Sequence, residues 1–140
     1  MKRNIAFIVE RYAERGGTER VTSHVMNALS KKNYSIKLLE IFSTDKTPFV
    51  LNSTIKTSFL LKDPYHTIWP EGKRKKFYIF NIIVFKLIKY FIKERIKVAI
   101  LSSTHHAYYA LIAAKICGVK IISWEHFNCR SITDYMPLYL

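Results

Sequence analysis

Three short stretches carry residue types from which a polar binding site can be built: Gly16-Gly17-Thr18, Ser102 to His106, and Glu125 to Asn128. Paired glycines just ahead of a helix expose unpaired backbone N–H groups at the positive end of the helix dipole, where an anion such as phosphate is favoured. Without a Cβ the backbone also admits close approach and positive φ. The same pair suits a tight strand-to-helix turn that holds nothing. It is neither GxGxxG nor a Walker loop with its lysine, so it specifies no dinucleotide or ATP. His126, in Glu125-His126-Phe127-Asn128, can donate to a ligand hydroxyl or stabilise developing charge, or it is an ordinary loop histidine. Thr104, His105 and His106 suit a polar pocket, or a hydroxyl there caps the next helix. No GxSxG elbow is present, which argues against a hydrolase triad. His105, His106, His126 and Cys129 match no compact zinc spacing and there is no CxxC, so no metal is expected.

These stretches have to be positioned by the elements between them. Asn4 to Glu10 is a short, nearly continuous apolar run, as expected of a strand buried on both faces. From Thr18 the period changes: Val21, Val25, Ala28 and Leu29 form one stripe of a helix that Thr18 can cap and that ends near Lys31-Lys32. Tyr34 to Phe42 reads as a second strand, and "STIKTSFLL" contains a third. A long helix from Lys73 to Arg95, a strand from Lys97 to Ser103, a helix in "HHAYYALIAAKIC" and a strand from Val119 to Trp124 follow. Gly118 stands where a left-handed helix cap belongs. Strands alternating with helices imply right-handed crossovers and a doubly wound parallel sheet, an α/β fold in a single domain. Ligands of such sheets bind beyond the carboxyl ends of the strands, which brings the three polar stretches to one edge.

Charge separates the possible partners. The 140 residues carry 23 Lys+Arg against 10 Asp+Glu, a net +13, which favours a polyanion. Nine basic residues and one acid lie between Lys73 and Lys97, so +8 of the excess is in one segment. Its apolar run, Phe77 to Ile92, would be roughly 24 Å long as a helix. That is short of the ~30 Å hydrocarbon core, and Asn81, Lys86 and Lys89 interrupt it. Apolar residues nevertheless go nearly all the way round it, more than one buried face needs. Flanked by Lys73, Arg74, Lys75 and Lys76, and carrying Lys86 and Lys89, it reads as a helix that packs on the sheet and also touches anionic membrane. A small basic module binding anionic membrane or nucleic acid is the alternative. Nucleic acid fits less well, because the aromatics form a continuous apolar run instead of alternating with cations. Two cysteines make no disulfide framework, and Cys117 is expected to be a small buried side chain. No signal peptide is evident, so cytoplasm is the expected compartment.

Two segments, "IAFIVERYAERGGTERVTSHVMNALSKKNYSIKLLEI" and "SSTHHAYYALIAAKICGVKIISWEHFN", resemble in order and spacing the N-terminal, acceptor-side half of a family-4 glycosyltransferase. The resemblance implies a single Rossmann-like domain over residues 1–140, the N-terminal half of a GT-B architecture. It implies transfer of a sugar from a nucleotide-sugar co-substrate with retention of configuration, without a metal or other cofactor, in the synthesis of cell-surface glycans or glycolipids. Gly16, Gly17 and Thr18 would face the donor pyrophosphate, and His126 would contact the donor sugar near its reacting carbon as the catalytic residue. Thr104, His105, His106, Glu125 and Asn128 become acceptor-side candidates. The basic helix matches the surface by which membrane-associated members reach lipid-linked acceptors, at the inner face of the membrane. Members are well over twice this length, and the donor-binding domain has no counterpart here. The isolated chain is therefore expected to be inactive alone, with a separate donor-binding polypeptide as a partner.

Overall fold

The computed structural model describes residues 3–12, 16–43, 49–62, 73–102 and 107–124, without the side chains of residues 73 and 75. Five strands and three helices alternate: β1 (Arg3–Val9), α1 (Gly17–Ser30), β2 (Tyr34–Ser43), β3 (Lys56–Lys62), α2 (Lys73–Lys93), β4 (Val98–Leu101), α3 (Ala107–Cys117) and β5 (Lys120–Ser123). The strands form one sheet in the order β3-β2-β1-β4-β5, and every pairing is parallel. All five strands expected from the sequence are present, in the doubly wound arrangement expected of them.

Period-two alternation sorts the strand side chains onto two faces. Ala6, Ile8, Leu39, Ile41, Ala99 and Leu101 meet Ile83, Leu87 and Phe91 of α2 and Tyr109, Ala110, Ala113 and Ala114 of α3. Phe80 and Tyr109 bind these two helices edge to face, with centroids 6.3 Å apart. Ile5, Phe7, Val9, Ile36 and Leu38 meet Met26 of α1, Tyr12 and Ile55 on the other face. Each Val, Leu, Ile, Phe or Met among them contributes about 1.5–3 kcal/mol when taken from water, before entropy is counted. Residues 49–55, ahead of β3, complete the α1 face through Phe49, Leu51 and Ile55. Asn27 of α1 holds them, donating to the Val50 carbonyl at 2.9 Å and accepting from the Asn52 N–H at 2.7 Å.

Two readings of α1 are corrected. The residues turned to the sheet are Thr22, Ser23 and Met26, whereas Val21 is 41% exposed and Ala28 is also exposed. The expected stripe is thus rotated; only Val25 and Leu29 keep a partial share of the core. Small hydroxyl residues let the helix approach the sheet closely, and Ser23 satisfies its own hydroxyl by donating to the Arg20 carbonyl at 2.7 Å. Thr18 is not the cap either. Gly16 holds that position, and it brings no side-chain cap bond.

Helix ends on the opposite side are better fastened. After α2, Ile96 N–H reaches the Phe91 carbonyl at 3.0 Å and Arg95 N–H the Ile92 carbonyl at 3.2 Å, with Arg95 at φ 50. This is a Schellman closure with an arginine in the left-handed position. Gly118 fills the equivalent place after α3 at φ +66, where Val119 N–H bonds the Ala114 carbonyl at 2.9 Å. Asn4 of β1 donates to the Glu94 carbonyl at 2.8 Å, tying the end of α2 to the edge where the strands begin. The Glu94 carboxylate pairs with buried Lys37 of β2, and that hydrogen bond holds its pKa below the usual carboxylate range. Cys117 is only partly buried, with Sγ 3.9 Å from the Ile88 carbonyl, and burial pushes its thiol pKa up.

Candidate functional site

Crossovers diverge between β1 and β4. The connection from β1 to β2 carries α1 over one face, while α2 and α3 cover the other. At such a switch point the connections leave a crevice beyond the strand ends, the usual ligand position in open parallel sheets. Residues 10–12 leave β1 there, Gly16 opens α1, Ser102 leaves β4, and Trp124 follows β5. Ser102 N–H and hydroxyl both bond to the Ile8 carbonyl, at 3.2 and 3.3 Å, so this buried serine locks β4 to β1. Trp124 N–H bonds the Leu101 carbonyl at 2.9 Å, and its ring packs half-buried against the α1-side core.

Gly16 is extended, with φ -87 and ψ 168, so positive φ is not why glycine stands there. A Cβ at Gly16 would meet only Oε2 of Glu19, the tip of a side chain free to swing aside, whose carboxylate folds back toward the start of α1. Glu19 lies in the first turn, where a negative charge suits the helix dipole. Gly17 is exposed, and a Cβ there would meet nothing within 4 Å. Among the described residues nothing covers the first N–H groups of α1 on the Gly17 side, with Thr18 half-buried beside them.

The base of this loop is anchored by two groups that the sequence reading did not single out. Tyr12 is fully buried; its N–H donates to Oε2 of Glu40 at 3.2 Å, and its hydroxyl makes a long 3.5 Å bond to the Glu19 carbonyl. Burial raises the pKa of the Tyr12 phenol, and Glu19 and Glu40 add to the effect. Glu40 is itself buried in β2, opposite Val9 in the sheet register. The only hint in the sequence is a carboxylate inside the apolar run Leu38-Leu39-Glu40-Ile41-Phe42. From the other face Tyr109 of α3 comes up to the same edge, its pKa raised by burial and then by Glu10. Arg11 lies 5.4 Å from the centroid of the Phe42 ring. The edge thus offers an open helix N-terminus among buried tyrosines, with carboxylates at 10, 19 and 40.

Among the predicted site residues, Gly16, Gly17 and Thr18 lie together at this edge. Thr104, His105, His106, Glu125, His126 and Asn128 lie outside the described residues, as do the side chains of Lys73 and Lys75. Arg74, Lys76, Lys86 and Lys89 are all exposed on α2. Lys86 is nevertheless engaged: its Nζ donates to the Leu60 carbonyl of β3 at 2.7 Å. Among the described residues no group of three or more His, Cys, Asp or Glu could hold a metal ion.

No family model matches the chain, and no curated protein matches it. Its fold is similar to a solved structure, the apo form of the lipopolysaccharide outer core galactosyltransferase WaaB, with a TM-score of 0.64 and 20% identity. The match covers 91% of this chain and 34% of that one, so the chain spans about a third of its neighbour's length. The five parallel strands with helices on both faces match a Rossmann-like half of a GT-B fold.

Proposed function

We propose that the chain is the acceptor-side, N-terminal domain of a family-4-type glycosyltransferase that uses a nucleotide sugar and builds cell-surface glycan or glycolipid. The carrying observation is the coincidence of the Gly16-Gly17 loop, an open α1 N-terminus and the sheet's switch point on one edge. The fold's similarity to a galactosyltransferase supports the reading. In the proposed reaction the bond from the sugar's anomeric carbon to the diphosphate oxygen breaks, and its electron pair leaves with the nucleoside diphosphate. A bond to the acceptor hydroxyl oxygen forms on the same face, and the hydroxyl proton is released. Gly16, Gly17 and Thr18 face the departing diphosphate, where backbone N–H groups offset its charge without a metal. His126 hydrogen-bonds the donor sugar, while Thr104, His105, His106, Glu125 and Asn128 serve the acceptor side. Transfer requires both substrates to be held together, so we infer that this domain alone is inactive and acts with a donor-binding domain on the cytoplasmic side of a membrane.

The test compares sugar transfer from a panel of nucleotide sugars into membrane lipid by the chain alone and by the chain with proteins recovered alongside it from native extract. The reading expects no transfer alone, and transfer with the complement that disappears in His126→Ala. Transfer unaffected by His126→Ala removes this edge from the active cleft. No transfer under any combination overturns the enzymatic reading.

A further inference from the structure

The carboxylates gather at one edge of the sheet and leave the other edge cationic. Among the described residues, Glu10, Glu19 and Glu40 belong to the edge with the Gly16-Gly17 loop. Glu94 lies at the edge where the strands begin, and it is already paired with Lys37. Around it the exposed charged side chains are all basic. Arg3 starts β1, Lys97 precedes β4 and Lys120 starts β5. Lys31 and Lys32 follow α1, Lys93 ends α2, and Arg95 comes just after it.

Backbone bonds bring these positions into one rim. Lys97 N–H donates to the Asn4 carbonyl at 3.0 Å, and Lys120 N–H donates to the Lys97 carbonyl at 3.0 Å. Arg3 stands opposite Tyr34 in the sheet register, and Tyr34 N–H bonds the Lys32 carbonyl at 2.9 Å. The Asn4 side chain donates to the Glu94 and Arg95 carbonyls at 2.8 and 3.3 Å, which joins the end of α2 to the same rim. From β2 across β1 and β4 to β5 the rim is about 14 Å wide, at ~4.8 Å per strand spacing. Helix ends account for part of the charge: α1, α2 and α3 all finish here, each with about −0.5 of dipole charge to offset. Seven exposed cations exceed that total several-fold, and Arg3 and Lys120 belong to strands, whose net dipoles are small.

What the rim lacks selects its partner. The exposed rings of the described residues, Phe59, Phe77, Tyr78, Phe85 and Tyr108, sit at mid-element or toward the opposite edge. Ile92 and Ile116, exposed in the last turns of α2 and α3, are aliphatic and cannot stack on a base. Unpaired bases therefore find no platform here. A protein partner would find no aromatic anchor, and lysine is disfavoured in the desolvated centre of such interfaces. A phosphate backbone needs neither, because spaced cations suffice to bind and position it.

The geometry points to the edge where the strands begin as a sequence-independent binding surface for the phosphate backbone of a nucleic acid duplex. A duplex carries one negative charge per ~1.7 Å of axis, so about eight phosphates lie along 14 Å and roughly four of them face the rim. This surface is distinct from the aromatic run of α2, whose composition suits nucleic acid poorly. Occupying it leaves the Gly16-Gly17 loop open, because the seven residues of β1 hold the two edges about 23 Å apart. The inference stands apart from the transferase reading and can fail without it.

The experiment is a fluorescence-anisotropy titration of a short labelled DNA duplex with the full chain, from ~50 to ~200 mM salt. Four phosphate contacts predict a slope of log K against log salt of about −3.6, a loss of roughly 150-fold over that range. Duplexes of unrelated sequence should bind alike. R3Q/K97Q/K120Q should flatten the slope by about 2–3. R74Q/K76Q/K89Q, which removes as many cations from α2, should leave it unchanged. Far-UV circular dichroism checks the fold of each variant. Independently, lysine acetylation read by mass spectrometry should show the duplex shielding Lys97 and Lys120 while Lys89 stays reactive. Equal loss in the two triple variants, shielding confined to α2, or tighter binding of poly-glutamate or of phosphatidylglycerol vesicles than of the duplex would each overturn the proposal.

Discussion

Arg95 and Gly118 do the same work with opposite chemistry, which makes their exchange a sharp test of the geometry described above. Both occupy the left-handed residue that closes a helix, at φ 50 and φ +66. A residue with a Cβ loses about 1–2 kcal/mol in that region, whereas glycine adopts it freely but carries extra unfolded-state entropy of about 0.4–1 kcal/mol. For Gly118→Ala the first effect dominates. No atom lies within 4 Å of the new Cβ, so neither a clash nor a packing gain intrudes, and the net cost is about 1 kcal/mol. Arg95→Gly runs the balance backwards and should stabilise by about the same amount. With a urea slope of about 2 kcal/mol/M, the midpoint should fall by ~0.5 M in the first variant and rise by ~0.5 M in the second. Equilibrium urea unfolding followed by circular dichroism provides the readout, with equal slopes as the check that compactness is unchanged. If Arg95→Gly destabilises as Gly118→Ala does, the arginine side chain and not its backbone secures α2, and the argument is wrong.

Three further outcomes follow from particular contacts. Glu40→Leu leaves the Tyr12 N–H without its carboxylate acceptor and should cost about 1–3 kcal/mol. Amide exchange at Tyr12 and the first turn of α1 should quicken with it, while Glu40→Gln, which keeps an oxygen acceptor, should do less. Leu87→Ala removes a fully buried side chain between α2 and the sheet and should cost about 2–5 kcal/mol in the same unfolding assay. Burial pushes the Tyr90 phenol from 10.0 up to about 12. The folded state thus holds a proton that the unfolded state releases first. Stability is fully present below about pH 10 and declines toward about pH 12, by roughly 2–3 kcal/mol from Tyr90 alone. Tyr109, raised further by burial and by Glu10, extends the decline in the same direction. A urea midpoint that stays flat as pH rises through 10 to 11 would refute it.

Four of the strands were legible because each is an apolar run bracketed by a change of period, β3 was read within the mixed stretch "STIKTSFLL", and the parallel topology followed from their alternation with helices. Gly118 was legible because glycine after a helix has one common use. The α1 face was not. Counting apolar residues favoured Val21 and Ala28, but close packing selected the small hydroxyls of Thr22 and Ser23, which a hydropathy pattern scores as surface. Arg95 escaped because nothing about arginine announces a left-handed backbone. The Glu40–Tyr12 bond joins residues 28 apart and exists only once β1 and β2 lie side by side. Gly16 was flagged at a helix start, which is where it lies, but its backbone is extended and makes no use of positive φ.

The sheet tapers toward the site's far side, and this fixes where the molecule opens first. β2 is ten residues long and β1 seven, but β4 and β5 have four each, and three of the four β5 residues are exposed. Few ladder bonds and little covered surface mean a low free energy of local opening, so β5 detaches in subglobal excursions that leave β1 and β2 intact. Anything bound across the edge must hold β5 closed, and that coupling shifts its opening equilibrium by RT ln(1 + [L]/Kd). Exchange of the amides at Ile122 and Trp124, which face β4, therefore gauges occupancy, while those of Phe7 and Ile8 stay at the pace of global unfolding and supply the internal standard.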